Sequence, residues 1–265
     1  MQAAHDFRAE CDSIRALLAN RGTAVFARKT LFKGWTVGEI IEHLHLFNIA
    51  ASKALEGEAA FNTFAARILP GMTKGHLGLQ RDWFGDTPGA ETFAAWADYY
   101  PEVAERFAAA DPDARVKWFG PDMSARASII ARQMEHWAHA QAIFDVLGVQ
   151  RVNTDRLKNI AELGVRTYSW SHKVNGWEPP KPKPYVRLHA PSGAVWEWNE
   201  PQDDNRVEGP AEDFCQVVTQ CRNIGDADID LTLTGTTAQG WMAKAQCFAG
   251  PPEAPPAVGT RTMAR

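Results

Sequence analysis

Glu135 and His139, in the run Ala131-Arg-Gln-Met-Glu-His-Trp-Ala-His139, stand four residues apart. On a helix that spacing sets a carboxylate and an imidazole on one face, one turn apart, within reach of a single ion. Ala131, Ala138, Ala142 and Val146 share the stripe. Covering this face strips water from both polar groups, and a bound cation would offset the loss. The structural alternative is a carboxylate paired with Arg132 and a hydrogen-bonded core histidine.

A catalytic metal site needs a third protein ligand and an open position. The segment that starts at Thr36 offers His43 and His45, which on a helix point about 200° apart. His43 shares its face with Ile40, Leu46, Phe47 and Ala50, so it is expected to point inward. His45 lies with Glu42, Asn48 and Ser52 and is expected to be solvated. The candidate metal ligands are therefore His43, Glu135 and His139, a set that suits zinc first and nickel or iron as well. His136, with Arg132, Gln133 and Ala140 on its stripe, is expected at the surface or behind the ligands. His45 or His136 would be the fourth ligand of a closed, structural site. His5, His76, His172 and His189 read as isolated, ordinary histidines. No phosphate-cradling glycine loop, G-x-S-x-G elbow or H-E-x-x-H motif occurs, so serine-based or lysine-based covalent chemistry has no support.

The elements that must position these groups are helical in the first two thirds of the chain. Phe7, Cys11, Ile14, Leu17 and Leu18 recur at three- and four-residue steps and predict a helix over 3–19. Thr36 with Glu39 three residues on forms a capping box, and that helix is expected to run to about Leu55. Further helices are predicted over 90–109 and 122–147, the second stopped by Gly148, and from Thr154 or Asp155 to Val174. No element is assigned between Leu55 and Ala90. Of 16 prolines, eleven follow Glu178, and Glu178-Pro-Pro-Lys-Pro-Lys-Pro184 reads as a stiff connector. Beyond it, Tyr185–His189 and Ala194–Trp198 predict a hairpin about Pro191-Ser-Gly193. Residues 213–221 predict a helix, 229–233 a strand and 237–248 a closing helix. The expected fold is α+β: an up-down four-helix bundle over 1–178, a small α+β domain over 185–250, and a disordered tail over 251–265.

Composition narrows the function. Lys+Arg 28 against Asp+Glu 32 gives a net charge of −4 with no basic block, which argues against a nucleic-acid partner. No apolar run is long enough for a membrane span, and the charged N-terminus lacks a secretory core. Four cysteines without C-x-x-C spacing suit a reduced, cytoplasmic protein.

The run Trp35-Thr-Val-Gly-Glu-Ile-Ile-Glu-His43-Leu resembles the W-x-V-x-D/E-V-x-x-H-L segment of the DinB/YfiT-like metal-binding bundles. Arg132-Gln-Met-Glu135-His-Trp-Ala-His139 is similar to the R-x-x-E-x-x-x-H segment of the mycothiol-dependent maleylpyruvate isomerase branch. Gly209–Gln220 and Ala245–Pro252 resemble the C-terminal domain of an actinobacterial-type subfamily within it. The resemblance covers nearly the whole chain and implies zinc ligands at His43, Glu135 and His139. The chain departs from the family pattern at Asn48 and Ala142, where relatives carry an acidic residue, and at His136, where they carry small or hydroxyl residues. The resemblance implies a metal-dependent isomerase or S-transferase that uses mycothiol or another small thiol on a small electrophilic substrate, and it leaves a homodimer open. Hydrolysis by metal-bound water and non-catalytic metal binding are the alternatives.

Overall fold

The computed structural model describes residues 1–263; positions 264 and 265 of the expected tail lie outside the described residues. The chain divides into two units, Met1–Leu147 and Gly148–Arg265. The boundary falls at Gly148 rather than at the proline-rich connector.

The first unit is built on four long helices. Helix α1 (Gln2–Leu18) buries Phe7, Cys11, Ile14 and Leu18, the periodic set read from the sequence. Helix α2 (Val37–Glu56) starts at the Thr36 capping box: Thr36 Oγ1 accepts from the Glu39 N–H at 3.1 Å, and Glu39 Oε2 accepts from the Thr36 N–H at 2.7 Å. Two unanticipated helices follow, α3 (Glu58–Met72) and α4 (Gly75–Phe84), packed against each other and against α2. Pro70, Gly71, Gly75 and Gly78 interrupt the periodicity there and hide both helices from sequence reading. Helix α5 (Gly89–Ala109) packs on α1 and α2. A short ladder, β1 (Arg115–Val116) with β2 (Met123–Ser124), leads into α6 (Ala125–Leu147), which starts with the Ala127 N–H donating to Ser124 Oγ and stops at Gly148, whose φ is +64°.

The four-helix bundle expected from the sequence is therefore α1, α2, α5 and α6. The Met1 ammonium donates to the Ala108 carbonyl and Tyr100 Oη to Asp12, so α1 and α5 are antiparallel. Helices α2 and α5 run in one direction, with the crossover made by α3 and α4. Gly38 and Gly89 meet near their starts, and Arg106 donates to Ser52 and Glu56 near their ends. Trp96, Tyr100, Phe107, Trp137, Ile40 and Ile41 fill the bundle core.

The second unit opens with a 3-10 turn (Asp155–Leu157), then α7 (Lys158–Arg166) and α8 (Tyr168–Val174). The single helix expected over 154–174 breaks at Thr167, whose hydroxyl donates to the Leu163 and Gly164 carbonyls and competes with the helical backbone bonds. Strands β3 (Tyr185–His189) and β4 (Val195–Trp198) form the expected hairpin. Strand β5 (Arg206–Pro210) pairs parallel to β3 and antiparallel to β6 (Thr232–Thr234), giving the order β4-β3-β5-β6. The Gly-Pro ending of β5 cuts short the alternation that marks a strand in sequence. Helix α9 (Ala211–Val218) packs on α7 at Gly164, where a Cβ would fall 2.9 Å from Phe214 and Val218. Helix α10 (Thr236–Met242) is shorter than the helix expected over 237–248, because the Gln246 and Cys247 N–H groups bond Ser171 Oγ and the Val218 carbonyl instead. The tail expected to be disordered is fastened as far as Arg261, whose guanidinium donates to the Gln220 carbonyl. Gln220 Nε2 donates to the Glu253 carbonyl, Asn223 Nδ2 to the Pro256 carbonyl, and the Gly259 N–H to Asp226 Oδ1.

Candidate metal centre

Helices α2 and α6 are antiparallel, and this brings together residues 92 apart in sequence. His43 Nε2 lies 3.4 Å from Glu135 Oε2, and His139 Nε2 lies 3.2 Å from the same oxygen. One donor atom from each of the three residues lies within 4.8 Å of the others. No other such group of histidine, cysteine or acidic side chains occurs among the described residues. The two rings stand 4.6 Å apart between centroids. Neither ring has a partner at Nδ1, so each can keep its proton there and turn the Nε2 lone pair inward.

The electrostatics suit a cation. Burial lowers the His43 pKa to about 3, so this imidazole is neutral at physiological pH. Burial pushes the Glu135 carboxyl upward, but hydrogen bonds and charge from His139 and His43 outweigh it and hold the group well below the usual carboxylate range. The set thus offers one anionic oxygen and imidazole nitrogens, a donor combination that fits a divalent transition metal.

Aromatic rings surround the triad. Lys33 and Gly34, both at positive φ, turn the chain so that the Trp35 N–H donates to the Phe32 carbonyl at 2.9 Å. The turn sets Phe32 edge-on to His139 at 4.8 Å and lays Trp35 nearly parallel to that ring at 6.0 Å. Phe47, one turn after His43 on α2, packs on His43 at 4.8 Å. His76 is not isolated, as its sequence context suggested. The start of α4 places it 5.2 Å from the His43 ring, on a site the sequence could not reveal because α4 itself was illegible.

Two other expectations are corrected. His45 is buried rather than solvated, between Phe84 and Tyr99, and burial lowers its pKa to about 4. It does not join the triad. His136 is fully buried rather than at the surface. Its Nδ1–H donates to the Arg132 carbonyl at 2.7 Å, and its Nε2 accepts from Trp96 and Asn48, each at 3.3 Å. Both stripes carry polar residues yet are buried, because these helices are covered on several sides, and a two-faced reading fails for such helices.

Comparison with known proteins places the chain in a family and agrees with its fold. Residues 7–144 match the family described as the mycothiol maleylpyruvate isomerase N-terminal domain. Uncharacterized proteins from two Mycobacterium tuberculosis strains, CDC 1551 / Oshkosh and ATCC 25618 / H37Rv, are each 37% identical over 250 residues, 93% of this chain and 95% of theirs. The crystal structure of the mycothiol-dependent maleylpyruvate isomerase superposes with a TM-score of 0.50 at 16% identity, covering 82% of this chain and 87% of that one. A histidine-to-alanine mutant of that enzyme gives the same TM-score at 15% identity. At such identities the likeness is one of fold. No helix among the described residues is long and apolar enough to cross a membrane.

Proposed function

We propose, for a chain that belongs to the mycothiol maleylpyruvate isomerase family, a metal-dependent reaction in which a small thiol, mycothiol or a close equivalent, is co-substrate for a small electrophile. The observation that supports this reading is that donor atoms of His43, Glu135 and His139 lie within 4.8 Å of one another, with no fourth histidine, cysteine or acidic side chain in the group among the described residues. Zinc, or nickel or iron in the same donor set, would supply Lewis acidity that lowers the proton affinity of a thiol at the open position.

The chain's own residues prepare that chemistry. Glu135 stays ionised and gives the donor set one negative charge, while neutral His43 presents its Nε2 without releasing a proton first. Phe32, Trp35 and Phe47 wall the triad and limit water beside it, which strengthens electrostatic interactions there. The thiol sulfur adds to an electrophilic carbon; expulsion of the thiol from the adduct returns an isomer, and loss of a different leaving group completes S-transfer. The cysteines of the chain take no part, because all four are buried, and burial raises the thiol pKa of Cys11 and Cys215.

The test is a thiol titration of cobalt-substituted protein. Mycothiol should add a sulfur-to-metal absorption band and release a proton, with glutathione and a simple dithiol as controls. An unchanged spectrum with every thiol, while cobalt stays bound, refutes the thiol-dependent reading. A response to all three thiols alike refutes selection of mycothiol.

A further inference from the structure

The rings of Trp35, Phe47, His76 and His139 pack on His43. His139 is a fellow donor, and Trp35 and Phe47 are buried. His76 alone of the four is exposed, and it is not one of the three donors. Its ring stands 5.2 Å from that of His43 and is inclined to it at 75°. The chain builds this placement from two helices. Glu39 and His43 stand four apart on one face of α2, as His76 and Gln80 do on α4. The buried Gln80 side chain donates to the Glu39 carbonyl at 2.6 Å and to Glu42 Oε2 at 3.3 Å. This clamp sets the two helices antiparallel, with His76 opposite His43. The turn into α4 is equally constrained: Gly75 has a φ of +74°, and at Gly78 a Cβ would collide with that of Lys74. An exposed imidazole on the second residue of a helix has no packing reason to face a buried one, so its place beside the triad calls for a ligand contact.

We propose that His76 is a thiol-binding residue, its ring N–H donating a hydrogen bond to the sulfur of the co-substrate. The inference rests on the thiol-dependent reading above. A neutral imidazole carries one N–H, so the bond needs no change in the charge of the ring. A sulfur that gives up its proton beside the triad becomes an anionic acceptor, and hydrogen bonds to ionised acceptors are the stronger ones. Phe32 and Phe47, which also wall the triad, carry no donor. The bond from His76 fixes the sulfur in place without adding a fourth protein ligand, so the site stays open to a thiol from solution.

The test titrates mycothiol into the full-length, cobalt-substituted protein and its His76→Ala and His76→Gln variants, reading the absorption spectrum. His76→Ala should weaken thiol binding about tenfold or more, the effect of one hydrogen bond to a charged group. It should also move the sulfur-to-cobalt band to longer wavelength, because a hydrogen bond lowers the energy of the sulfur electrons. His76→Gln keeps an N–H donor and should restore the band position and most of the affinity. Before thiol is added, both variants should keep the wild-type cobalt content and spectrum. A wild-type protein that forms no band removes the thiol-dependent reading and this inference with it. A wild-type band that neither moves nor weakens in His76→Ala, or that moves equally in His76→Gln, overturns the role of His76 alone. So does a cobalt spectrum altered before thiol is added, which would make His76 a ligand of the metal.

Discussion

Replacing His43 by alanine distinguishes a ligand from a neighbour. His43 supplies one of three donor atoms, whereas His45, two residues on, touches Phe84 and Tyr99 and no member of the triad. Altering even the groups that orient a metal's ligands lowers affinity about 10–100-fold, so loss of a ligand should reach about 100-fold. Zinc at ~100 times its Kd stabilises the folded state by about 2.7 kcal/mol, and a site weakened 100-fold keeps about 0.4 kcal/mol at the same zinc concentration. The difference, about 2.3 kcal/mol, corresponds to a zinc-induced rise in Tm that is smaller by roughly 5–9 °C. His45→Ala should lower Tm equally with and without zinc, since it loses packing and no ligand. Thermal unfolding with and without zinc, paired with elemental analysis, reads both effects. A full zinc increment in His43→Ala, or its loss in His45→Ala, refutes the assignment.

Glu135→Gln keeps the shape of the ligand and removes its charge. Metal content should fall sharply while the metal-free protein keeps its Tm within a few degrees, measured by the same pair of assays. Gly89→Ala would place a Cβ 2.8 Å from the Phe26 Cβ and 3.4 Å from the Gly38 Cα, so urea unfolding should show a loss of about 1–3 kcal/mol, against no packing loss in Gly240→Ala, which faces open space. Limited proteolysis should cut first near Val152, 80% exposed in the first residues of the second unit, rather than in the connector. The carbonyls of Pro180, Pro182, Lys183 and Pro184 accept from Tyr168, Asn205, Gln202 and Asn199, which fastens that segment; sequencing the first fragments decides the point.

The parts of the site that were legible in sequence are those governed by one helix at a time. The i,i+4 pair Glu135 and His139 and the Thr36 capping box follow from local geometry alone. His43 followed from the apolar company it keeps. What escaped depends on other elements: His76 on α4, Phe32 on the turn at Lys33-Gly34, and the burial of His45 and His136 on neighbours that cover helix faces rich in polar residues. A glycine- and proline-rich stretch hid α3 and α4, and with them the crossover that makes α2 and α5 run in the same direction.

The misread His136 accounts for the precision of the triad. His43 can meet Glu135 only if α2 and α6 keep one register along their length, and apolar packing alone tolerates sliding. Asn48 Oδ1 accepts from Arg132 Nε at 3.4 Å, Asn48 Nδ2 donates to His136, and Trp96 of α5 donates to the same ring. A slip of one turn, about 5.4 Å, would break these contacts inside a core that offers no water in exchange. Each buried polar group left without a partner costs about 1–3 kcal/mol, so the network penalises every other register of the two helices. The polar residues one turn from the ligands thus place the donor atoms, and they do so from a stripe that looked solvent-facing in the sequence.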